Sequence, residues 1–398
     1  MQKVKLGDIS KLNAETFKNN FNKIYYLDTS SVTKGRFEKY SVFENGAKIP
    51  SRAKRAVKDK TIVYSTVRPN LKHFGILKEP SENIVVSTGF TTIDVKNFVD
   101  AKYIYYFLTQ NSLTNKLDTI ASNNVSSYPS IKPSDLENIE LALPTLLVQQ
   151  KISKVLSNID DKIELNYKIN MELEQMARQI YEYWFLQFDF PDENGNPYKS
   201  SGGKMVQSNI LKREIPIEWE VKELKDILVN ITDKSEKIRS ENILNDGIFP
   251  VITQDKGEII KGYTNNKKPI KINPLLIFGD HSCTLKYVDF PFFRGADGTQ
   301  ILNFSNDKLT RYCYFSIQKF LPQIPNFGKY ERHFKYLKAM PIVLPSIKVL
   351  NNFDGFAKSI FKKIEHNNIE IYNLEKQRDY LLPMLMNGQI NVDNIQVN

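Results

Sequence analysis

Two long segments of the chain carry the same helical pattern of mostly apolar positions. The positions recur at alternating steps of four and three residues, which places them in one stripe along a helix. The first stripe comprises Ile152, Leu156, Ile159, Ile163, Asn166, Asn170, Leu173, Ala177, Ile180 and Trp184. The second comprises Phe353, Ala357, Ile360, Ile364, Asn367, Ile371, Leu374, Arg378, Leu381 and Leu385. The spacing predicts two long helices, over 146–187 and 346–387, that pair as a coiled coil.

A polar residue interrupts each stripe at the same relative position. Asn166 occupies it in the first segment and Asn367 in the second. A polar residue at one seam position can fix the register of a coiled coil at some cost in stability. The alternative is that both asparagines lie at a solvated edge of the seam. The sequence leaves both interpretations open.

Each predicted helix belongs to a longer repeat. Residues 136–185 align with residues 337–386 at a constant shift of 201 positions and without a gap. The matches include Leu143-Pro144 with Leu344-Pro345 and Lys162-Ile163-Glu164 with Lys363-Ile364-Glu365. The openings of the two halves also match, since Leu6-Gly7-Asp8-Ile9 echoes Leu224-Lys225-Asp226-Ile227. A duplication explains so long an ungapped series better than chance does.

A mixed segment, here called a module, precedes each predicted helix, over 1–145 and 215–345. Short β-branched and aromatic runs between turn residues, such as Thr61–Tyr64 and Pro274–Phe278, predict several strands in each segment. Residues 188–214 are rich in Pro, Gly, Asn and Ser, which is typical of an irregular linker. Residues 388–398 form a tail. The chain is therefore expected to be an α+β protein with two similar halves.

Composition narrows the partners and the compartment. The 398-residue chain has a formal net charge of +10, which favours an anionic partner such as nucleic acid. Its two cysteines and four scattered histidines argue against a disulfide framework and a structural zinc site, so no metal ligand is predicted. The N-terminus lacks the apolar core of a signal peptide, and no apolar run approaches the length of a membrane span. We therefore predict a cytoplasmic protein without a membrane partner.

Catalytic signatures are missing from the sequence, so we predict no catalytic residue and no cofactor in this chain. It has no GxxxxGK[ST] phosphate loop, no GxGxxG turn after a strand and no GxSxG elbow. The run Asp280-His281-Ser282-Cys283 places reactive side chains next to one another. Neighbours in a strand point to opposite faces, however, and a triad is assembled by geometry rather than by adjacency.

Basic residues interleaved with aromatic and amide side chains are the remaining functional signal. Lysine and arginine neutralise phosphates, while arginine, asparagine and glutamine can read base edges in the major groove. The candidate DNA-binding residues are Arg52, Lys54, Arg55, Arg68, Lys72, Lys267, Lys268, Lys329, Arg332 and Lys335. The alternative is a solvated charged face, which is the usual role of such runs. Two basic modules in one repeated architecture favour nucleic acid.

The chain resembles the specificity subunits of type I restriction-modification systems over its full length. The residues that carry the resemblance are Gln149–Ile152, Ile159–Asn166, Tyr183–Phe185, Phe188–Pro191, Gly195–Gly203 and Arg378–Gly388. The second copy departs from the first in two ways. It lacks a Gln-Gln-Lys match at Leu350–Asn352, and it places Arg378 on the stripe. These departures suggest that the two long helices are not equivalent partners.

The resemblance implies a specific architecture. Two target-recognition domains, 1–145 and 215–345, would each read one half of a split site on double-stranded DNA. The central helix 146–187 and the distal helix 346–387 would pack antiparallel as a spacer between the two domains, which gives a pseudo-twofold molecule joined through linker 188–214. The candidate residues for helix pairing and partner docking are Ile159, Ile163, Asn166, Leu173, Trp184, Ile360, Ile364, Asn367 and Leu374.

The resemblance also implies the partners. Two methyltransferase subunits, which bind S-adenosylmethionine, would dock on the helices, and an endonuclease and translocase subunit that uses ATP and Mg²⁺ would be a further partner. Catalysis would then belong to the partners. Two other hypotheses remain open from the residues alone. One is a coiled-coil scaffold whose modules bind protein, and the other is a degenerate DNA-modifying enzyme.

Overall fold

The structure, a computed structural model, describes residues 2–18, 20–38, 40–44, 46–123, 129–230, 236–256, 259–271, 274–295, 298–324 and 332–396. The chain divides into two compact units. Unit 1 comprises Met1–Leu165 with Glu370–Asn398, and unit 2 comprises Asn166–Ile369. The division falls within both long helices. No helix in these described ranges is long and apolar enough to cross a membrane.

Helices and strands are mixed throughout, as the sequence predicts. The helices are α1 Leu6–Ile9, α2 Ala101–Thr109, α3 Asn111–Asn123, α4 Pro133–Glu137, α5 Leu146–Tyr181, α6 Leu224–Ile227, α7 Asp307–Phe320, α8 Phe334–Lys338 and α9 Ile347–Met386. The strands of unit 1 are β1 Gln2–Lys5, β2 Ser10–Leu12, β3 Lys23–Leu27, β4 Val32–Thr33, β5 Arg36–Phe37, β6 Ser41–Glu44, β7 Ala53–Arg55, β8 Ile62–Ser65, β9 Phe74–Ile76, β10 Ile84–Ser87, β11 Phe90–Val95 and β12 Glu140–Leu143. Those of unit 2 are β13 Met205–Ser208, β14 Arg213–Pro216, β15 Glu220–Glu223, β16 Phe249–Ile252, β17 Gly262–Thr264, β18 Leu275–Gly279, β19 Leu285–Val288, β20 Phe293–Arg294, β21 Thr299–Leu302 and β22 Pro341–Leu344.

Unit 1 contains two four-stranded sheets. In one, the strand order is β6-β3-β10-β7, with β3 and β10 parallel. In the other, the order is β2-β11-β8-β9, and the neighbouring strands are antiparallel. Strands β8 and β10 are buried at all four residues. Their sequences are nearly continuous apolar runs, which is typical of strands covered on both faces.

Unit 2 builds its module from smaller sheets. Strands β19-β18-β21 form an antiparallel sheet around β18, whose five residues are all buried. Strands β17-β16-β20 form a second sheet. The largest core cluster of this unit is aromatic, because Tyr181, Phe185 and Phe353 pack around Tyr312 and Phe315. Aromatic side chains bury large areas, so this cluster is a principal source of the stability of unit 2.

The segment 188–214 differs from the irregular linker that its composition predicts. Phe188 and Phe190 are buried against Trp219 in the core of unit 2. The same segment contains β13 and the beginning of a hairpin with β14. Burial of aromatic rings outweighs the turn-forming character of the neighbouring residues. Pro191 and Pro197 pair in an antiparallel bridge, and Asn194, Gly195 and Asn196 form the turn between them.

The long helices agree closely with the predicted ranges. Helix α5 ends at Tyr181 and continues into a π-helical turn at Glu182–Leu186. Helix α9 continues to Met386 and accommodates Pro383 in its last turns. Proline lacks a backbone N–H, so Pro383 removes one hydrogen bond from α9. Because Pro383 lies near the end of the helix, few hydrogen bonds beyond it are affected.

Within each unit, α5 and α9 run antiparallel. In unit 1, Arg378 Nη1 donates to Asp160 Oδ1 at 2.9 Å, and Lys162 Nζ lies 3.4 Å from Glu370 Oε1. In unit 2, Asn170 Nδ2 donates to Asn368 Oδ1 at 2.9 Å, and the rings of Tyr181 and Phe353 are 6.3 Å apart. Rising residue numbers in α5 therefore meet falling numbers in α9 in both units.

The two units repeat one framework around the start of each module. Strand β1 pairs antiparallel with β12, and β15 pairs antiparallel with β22, so the opening strand of each module meets the strand before a long helix. Tyr103 Oη donates to the carbonyl of Ala142, and Tyr312 Oη donates to the carbonyl of Val343. Ala142 and Val343 correspond under the shift of 201 residues. The duplication inferred from the helices therefore includes the modules.

Asparagine side chains form a polar layer between α5 and α9 in unit 2. Asn367 Nδ2 donates to Asn170 Oδ1 at 2.8 Å, and Asn170 Nδ2 donates to Asn368 Oδ1 at 2.9 Å. Asn166 and Asn367 are 2% and 1% exposed. The interpretation that they lie at a solvated edge is therefore wrong. The register-fixing role stays a prediction.

Replacing Asn367 by alanine is expected to lower the free energy of unfolding of unit 2 by about 1–3 kcal/mol, because Asn170 Oδ1 loses its donor in this partly buried layer. Hydrogen exchange of residues 347–369 in the whole chain measures the effect. Asn352, which is exposed on the same helix, provides the control. Asn352→Ala should change the stability by less than about 0.5 kcal/mol. Equal protection in the two variants would contradict an energetic role for the layer.

Candidate nucleic-acid interface

The candidate basic residues of unit 1 fall into two groups. Arg52, Lys54 and Arg55 lie in β7 and the turn before it, at the edge of the sheet β6-β3-β10-β7. Arg68 and Lys72 flank a 3-10 turn at Pro69–Leu71 that connects β8 to β9. Arg52, Lys54 and Arg68 are exposed. The candidate residues of unit 1, which are close in sequence, thus form two basic patches, one beside each four-stranded sheet.

The turn between β8 and β9 holds its basic residues in an unusual backbone conformation. Arg68 and Lys72 have φ angles of 49° and 55°, in the left-handed region. This conformation is uncommon for residues with a Cβ atom and is often associated with binding sites. Lys72 Nζ donates to Asn111 Oδ1 at 2.7 Å. Burial lowers the pKa of Lys72, and the nearby positive charge of Lys34 lowers it further.

Two basic residues near this turn were missed by the sequence analysis. Lys34 and Arg36 are exposed on the small hairpin formed by β4 and β5. Its backbone is tied to the turn, since Lys34 N donates to the carbonyl of Lys72 at 2.9 Å. The Lys34-Gly35 pair, with φ angles of 48° and 82°, is a recognisable hairpin-turn signal. That signal could have placed the hairpin, but not its contact with a turn 38 residues further along the chain.

The candidate basic residues of unit 2 are also divided. Lys267 and Lys268 are exposed between β17 and β18. Arg332 and Lys335 are exposed at the start of α8, and Lys335 Nζ lies 4.7 Å from the ring centre of Tyr336. Lys329 lies outside the described residues. The structure therefore places Arg332 and Lys335 together and Lys267 and Lys268 elsewhere in the unit.

The run Asp280–Cys283 is used in a hydrogen-bonded turn after β18. Ser282 Oγ donates to the carbonyl of Gln254 at 2.5 Å, and Phe334 N donates to Asp280 Oδ1 at 2.8 Å. Burial raises the pKa of the Cys283 thiol, which disfavours the reactive thiolate. These contacts show that residues of the run stabilise the turn after β18.

The candidate helix-pairing residues lie on the facing sides of α5 and α9. Ile159 and Ile163 are buried in unit 1, where Leu374 is partly buried. In unit 2, the buried residues are Asn166, Trp184, Ile360 and Asn367, and the partly buried ones are Leu173 and Ile364. Trp184 packs against Phe353 and Phe356 at ring-centre distances of 6.3 and 5.8 Å. Their burial fits the stripe that the sequence defines.

Chemically, the basic patches are suited to a polyanion. Exposed lysine and arginine side chains can neutralise phosphates, and arginine can donate two parallel hydrogen bonds to one base. Among the described residues, no cluster of three or more His, Cys, Asp or Glu side chains could hold a metal ion. The patches therefore have the charge and the hydrogen-bond donors that a partner such as nucleic acid would require.

Comparison with known proteins identifies the N-terminal part of the chain. Residues 1–175 match the family described as the type I restriction modification DNA specificity domain. This range contains the module of unit 1 and most of α5.

Curated relatives match nearly the whole chain. The HindI type I restriction enzyme specificity subunit of Haemophilus influenzae is 25% identical over 97% of this chain and 98% of its own length. The MjaIX type I restriction enzyme specificity subunit of Methanocaldococcus jannaschii is 28% identical over 84% of this chain and 79% of its own length.

A solved structure shares the fold. The type I restriction-modification S subunit from M. genitalium has a TM-score of 0.52 and 17% identity, over 96% of this chain and 95% of that one. The resemblance seen in the sequence is thus confirmed by the family match and the curated relatives. Residues 1–175 thus match the type I restriction modification DNA specificity domain, and the chain as a whole is similar to the specificity subunits of type I restriction enzymes.

Proposed function

We propose that this chain is a sequence-specific DNA-binding subunit that directs methyltransferase and endonuclease subunits to a bipartite DNA target. The observation that carries the proposal is the repeated framework. Each unit contains one module of mixed strands and helices, and in each the opening strand pairs with the strand that precedes a long helix. One chain with two diverged modules has the means to read two different half-sites. Exposed basic residues in both modules supply the attraction for DNA phosphates.

The paired helices serve as the spacer and as the docking surface for two methyltransferase subunits. Buried seam positions hold the helices together, and large apolar side chains remain exposed on their outer faces. The exposed residues on α5 are Leu165, Met171 and Met176, and those on α9 are Phe356, Ile369 and Tyr380. Exposed apolar side chains that follow one element are typical of protein-binding surfaces.

The partners supply the chemistry in this proposal. Methyltransferase subunits bind S-adenosylmethionine and act on an adenine that is flipped out of the duplex. Endonuclease subunits use ATP and Mg²⁺. The role of this chain is to select the DNA site and to hold the partners there.

Long-read methylation profiling tests this function. The chain is expressed together with the methyltransferase subunit of its own system, in a host without other adenine methylation. We expect one bipartite adenine-methylated motif with a fixed gap, which disappears when the gene for this chain is deleted. A methylation pattern that is the same with and without this chain would contradict the proposal and favour a protein-binding scaffold.

A further inference from the structure

The residue that follows the central buried strand is held in the same way in both units. In unit 1 this residue is Thr66, whose N–H donates to the carbonyl of Gly89 at 2.9 Å and whose carbonyl accepts from the N–H of Ile131 at 2.9 Å. In unit 2 it is Asp280, which donates to Gly298 at 2.7 Å and accepts from His333 at 3.0 Å.

This shared arrangement, the strand-end corner, is defined by Thr66, Gly89 and Ile131 in unit 1 and by Asp280, Gly298 and His333 in unit 2. The sequences around Thr66 and Asp280 have no similarity that would align them. Backbone hydrogen bonds nevertheless make the same junction of three chain segments in each unit. The corner therefore identifies equivalent places in two modules whose sequences have diverged.

Additional bonds fix each strand-end corner. In unit 1, Thr66 Oγ1 also donates to the Gly89 carbonyl at 3.0 Å, and Arg68 N donates to the carbonyl of Pro129 at 2.9 Å. In unit 2, the ring Nδ1 of His333 lies 2.8 Å from the Asp280 carbonyl and donates to it. Asp280 and His333 are each 2% exposed. A backbone held this firmly can present neighbouring side chains in a defined direction, as a recognition site requires.

Close packing requires a glycine at the centre of the corner in unit 2. Gly298 has a φ of +61°, and a Cβ atom there would lie 2.5 Å from the side-chain oxygen of Gln254. In unit 1, a Cβ atom on Gly89 would lie 2.7 Å from the Thr29 side chain. The glycines thus leave room for a further chain segment beside each corner, at Thr29 in unit 1 and at Gln254 in unit 2.

Exposed cationic residues adjoin the corner in both units. Arg68 is two residues beyond Thr66, and its left-handed backbone is uncommon for an arginine. Arg332 directly precedes His333 and is likewise exposed. Half-buried Lys72, which is bonded to Asn111, and exposed Lys335 follow at a short distance along the chain. Each corner thus combines one arginine next to the fixed backbone with a lysine further out.

We propose that the strand-end corner is the base-reading element of each unit, with Arg68 reading one half-site and Arg332 the other. The ligand is the major-groove edge of duplex DNA. Arginine fits guanine there, because its two parallel donors match the O6 and N7 acceptors of that base. Lys72 and Lys335 contact phosphates, which position the module without reading sequence. This assignment rests on the proposed function and names the residues that carry it out.

The test uses the complex of this chain with its methyltransferase subunits. Methylation profiling compares Arg68→Ala and Arg332→Ala with the wild-type chain, and binding of each purified complex is measured on a duplex that contains the wild-type motif. We expect Arg68→Ala to lose a guanine preference in one half-site only and Arg332→Ala to lose one in the other half-site only. Binding should weaken about tenfold to a hundredfold in each case.

Conservative and distant variants separate base reading from general electrostatics. Arg68→Lys keeps the charge but not the paired donors, so it should relax the motif while binding non-specific DNA as the wild type does. Lys23→Ala and Arg239→Ala remove exposed charges elsewhere in units 1 and 2 and should leave the motif unchanged. Arg68→Lys also guards against misfolding as the cause of a lost motif.

The outcomes distinguish this assignment from the function on which it rests. If the wild-type complex methylates no motif that depends on this chain, the proposed function fails and the assignment fails with it. If the wild-type motif is present but both alanine variants keep it unchanged, only the assignment is overturned. Relaxation of both half-sites by Arg68→Ala would also overturn it, because each corner is assigned to one half-site.

Discussion

Asp354→Ala is expected to lower the free energy of unfolding of unit 2 by about 3–5 kcal/mol, because it leaves a buried arginine without its main partner. Arg311 Nε donates to Asp354 Oδ1 at 2.5 Å, and the two side chains are 2% and 8% exposed. Hydrogen exchange of α7 and of residues 347–369 in the whole chain reports on this unit directly. Protection equal to that of the wild type would contradict the expected cost.

A second carboxylate on the same arginine provides the matched control. Asp307 Oδ2 lies 2.8 Å from Arg311 Nη2, but its side chain is 44% exposed. Water can replace much of this contact, so Asp307→Ala should cost about 1 kcal/mol or less. The double variant Arg311→Met with Asp354→Leu removes both buried charges together. It should recover most of the stability that Asp354→Ala loses, since apolar packing can substitute for a buried ion pair.

Asp307 makes the stability of unit 2 depend on pH in the acid range. Burial by itself raises the pKa of Asp307, but the hydrogen bond and positive charge of Arg311 outweigh it and lower the pKa below its usual value. A lowered carboxylate pKa contributes stability that is complete above the unfolded value of about 3.9. That contribution is lost as the pH falls through the lower pKa of the folded state. Acid titration of Asp307→Asn should therefore show a smaller loss of α7 protection below about pH 4 than the wild type shows.

The long helices could be predicted from the sequence because their signal is periodic. A stripe repeated over ten positions determines both the helix and the face that it buries. Helix α5 begins at Leu146, as expected, and the burial of Ile163 and Ile360 fits the same stripe. The mixed modules were predicted only as a class, since short apolar runs predict strands but not their order in a sheet.

The strand-end corners could not be predicted, for a physical reason. They depend on backbone hydrogen bonds, such as the one from Ile131 to Thr66, that join residues far apart in the chain. A backbone amide carries no sequence signature, so unrelated residues occupy equivalent places. The left-handed conformation of Arg68 was equally hidden, because neither a glycine nor an asparagine occupies that position.

Arg378, which departs from the apolar stripe, was visible in the sequence, but its partners were not. In unit 1 its Nη1 donates to Asp160 at 2.9 Å, and the Tyr106 hydroxyl donates to the other oxygen of Asp160 at 2.6 Å. Under the shift of 201 residues, Asp160 and Arg378 correspond to Phe361 and Ala177 in unit 2. Tyr106 corresponds to Phe315, because each lies three residues after the tyrosine, Tyr103 or Tyr312, that bonds to the matched carbonyl. Phe315, Phe361 and Ala177 are buried in one apolar cluster. One copy has a polar triad where the other has an apolar contact.

This difference predicts opposite effects for single and combined substitutions. Arg378→Ala should lower the free energy of unfolding of unit 1 by about 2–4 kcal/mol, because the half-buried Asp160 loses its cationic partner. Tyr106→Phe, Asp160→Phe and Arg378→Ala together give unit 1 the residues that pack in unit 2. Removing every polar partner together leaves no buried group unsatisfied. The triple variant should therefore be more stable than Arg378→Ala alone.

Hydrogen exchange of residues 370–386 measures both variants in the whole chain, and Lys376→Ala, an exposed position on the same stretch of α9, controls for nonspecific effects. If the triple variant is less stable than Arg378→Ala, the polar triad of unit 1 and the apolar contact of unit 2 are not interchangeable. The match in sequence would then reflect common ancestry without common packing. If the triple variant recovers the lost protection, the two units share one packing scheme. The framework shared by the two units would then accept either the polar triad or the apolar contact. The three polar residues would have to be exchanged together, since each depends on the others for a hydrogen-bond partner.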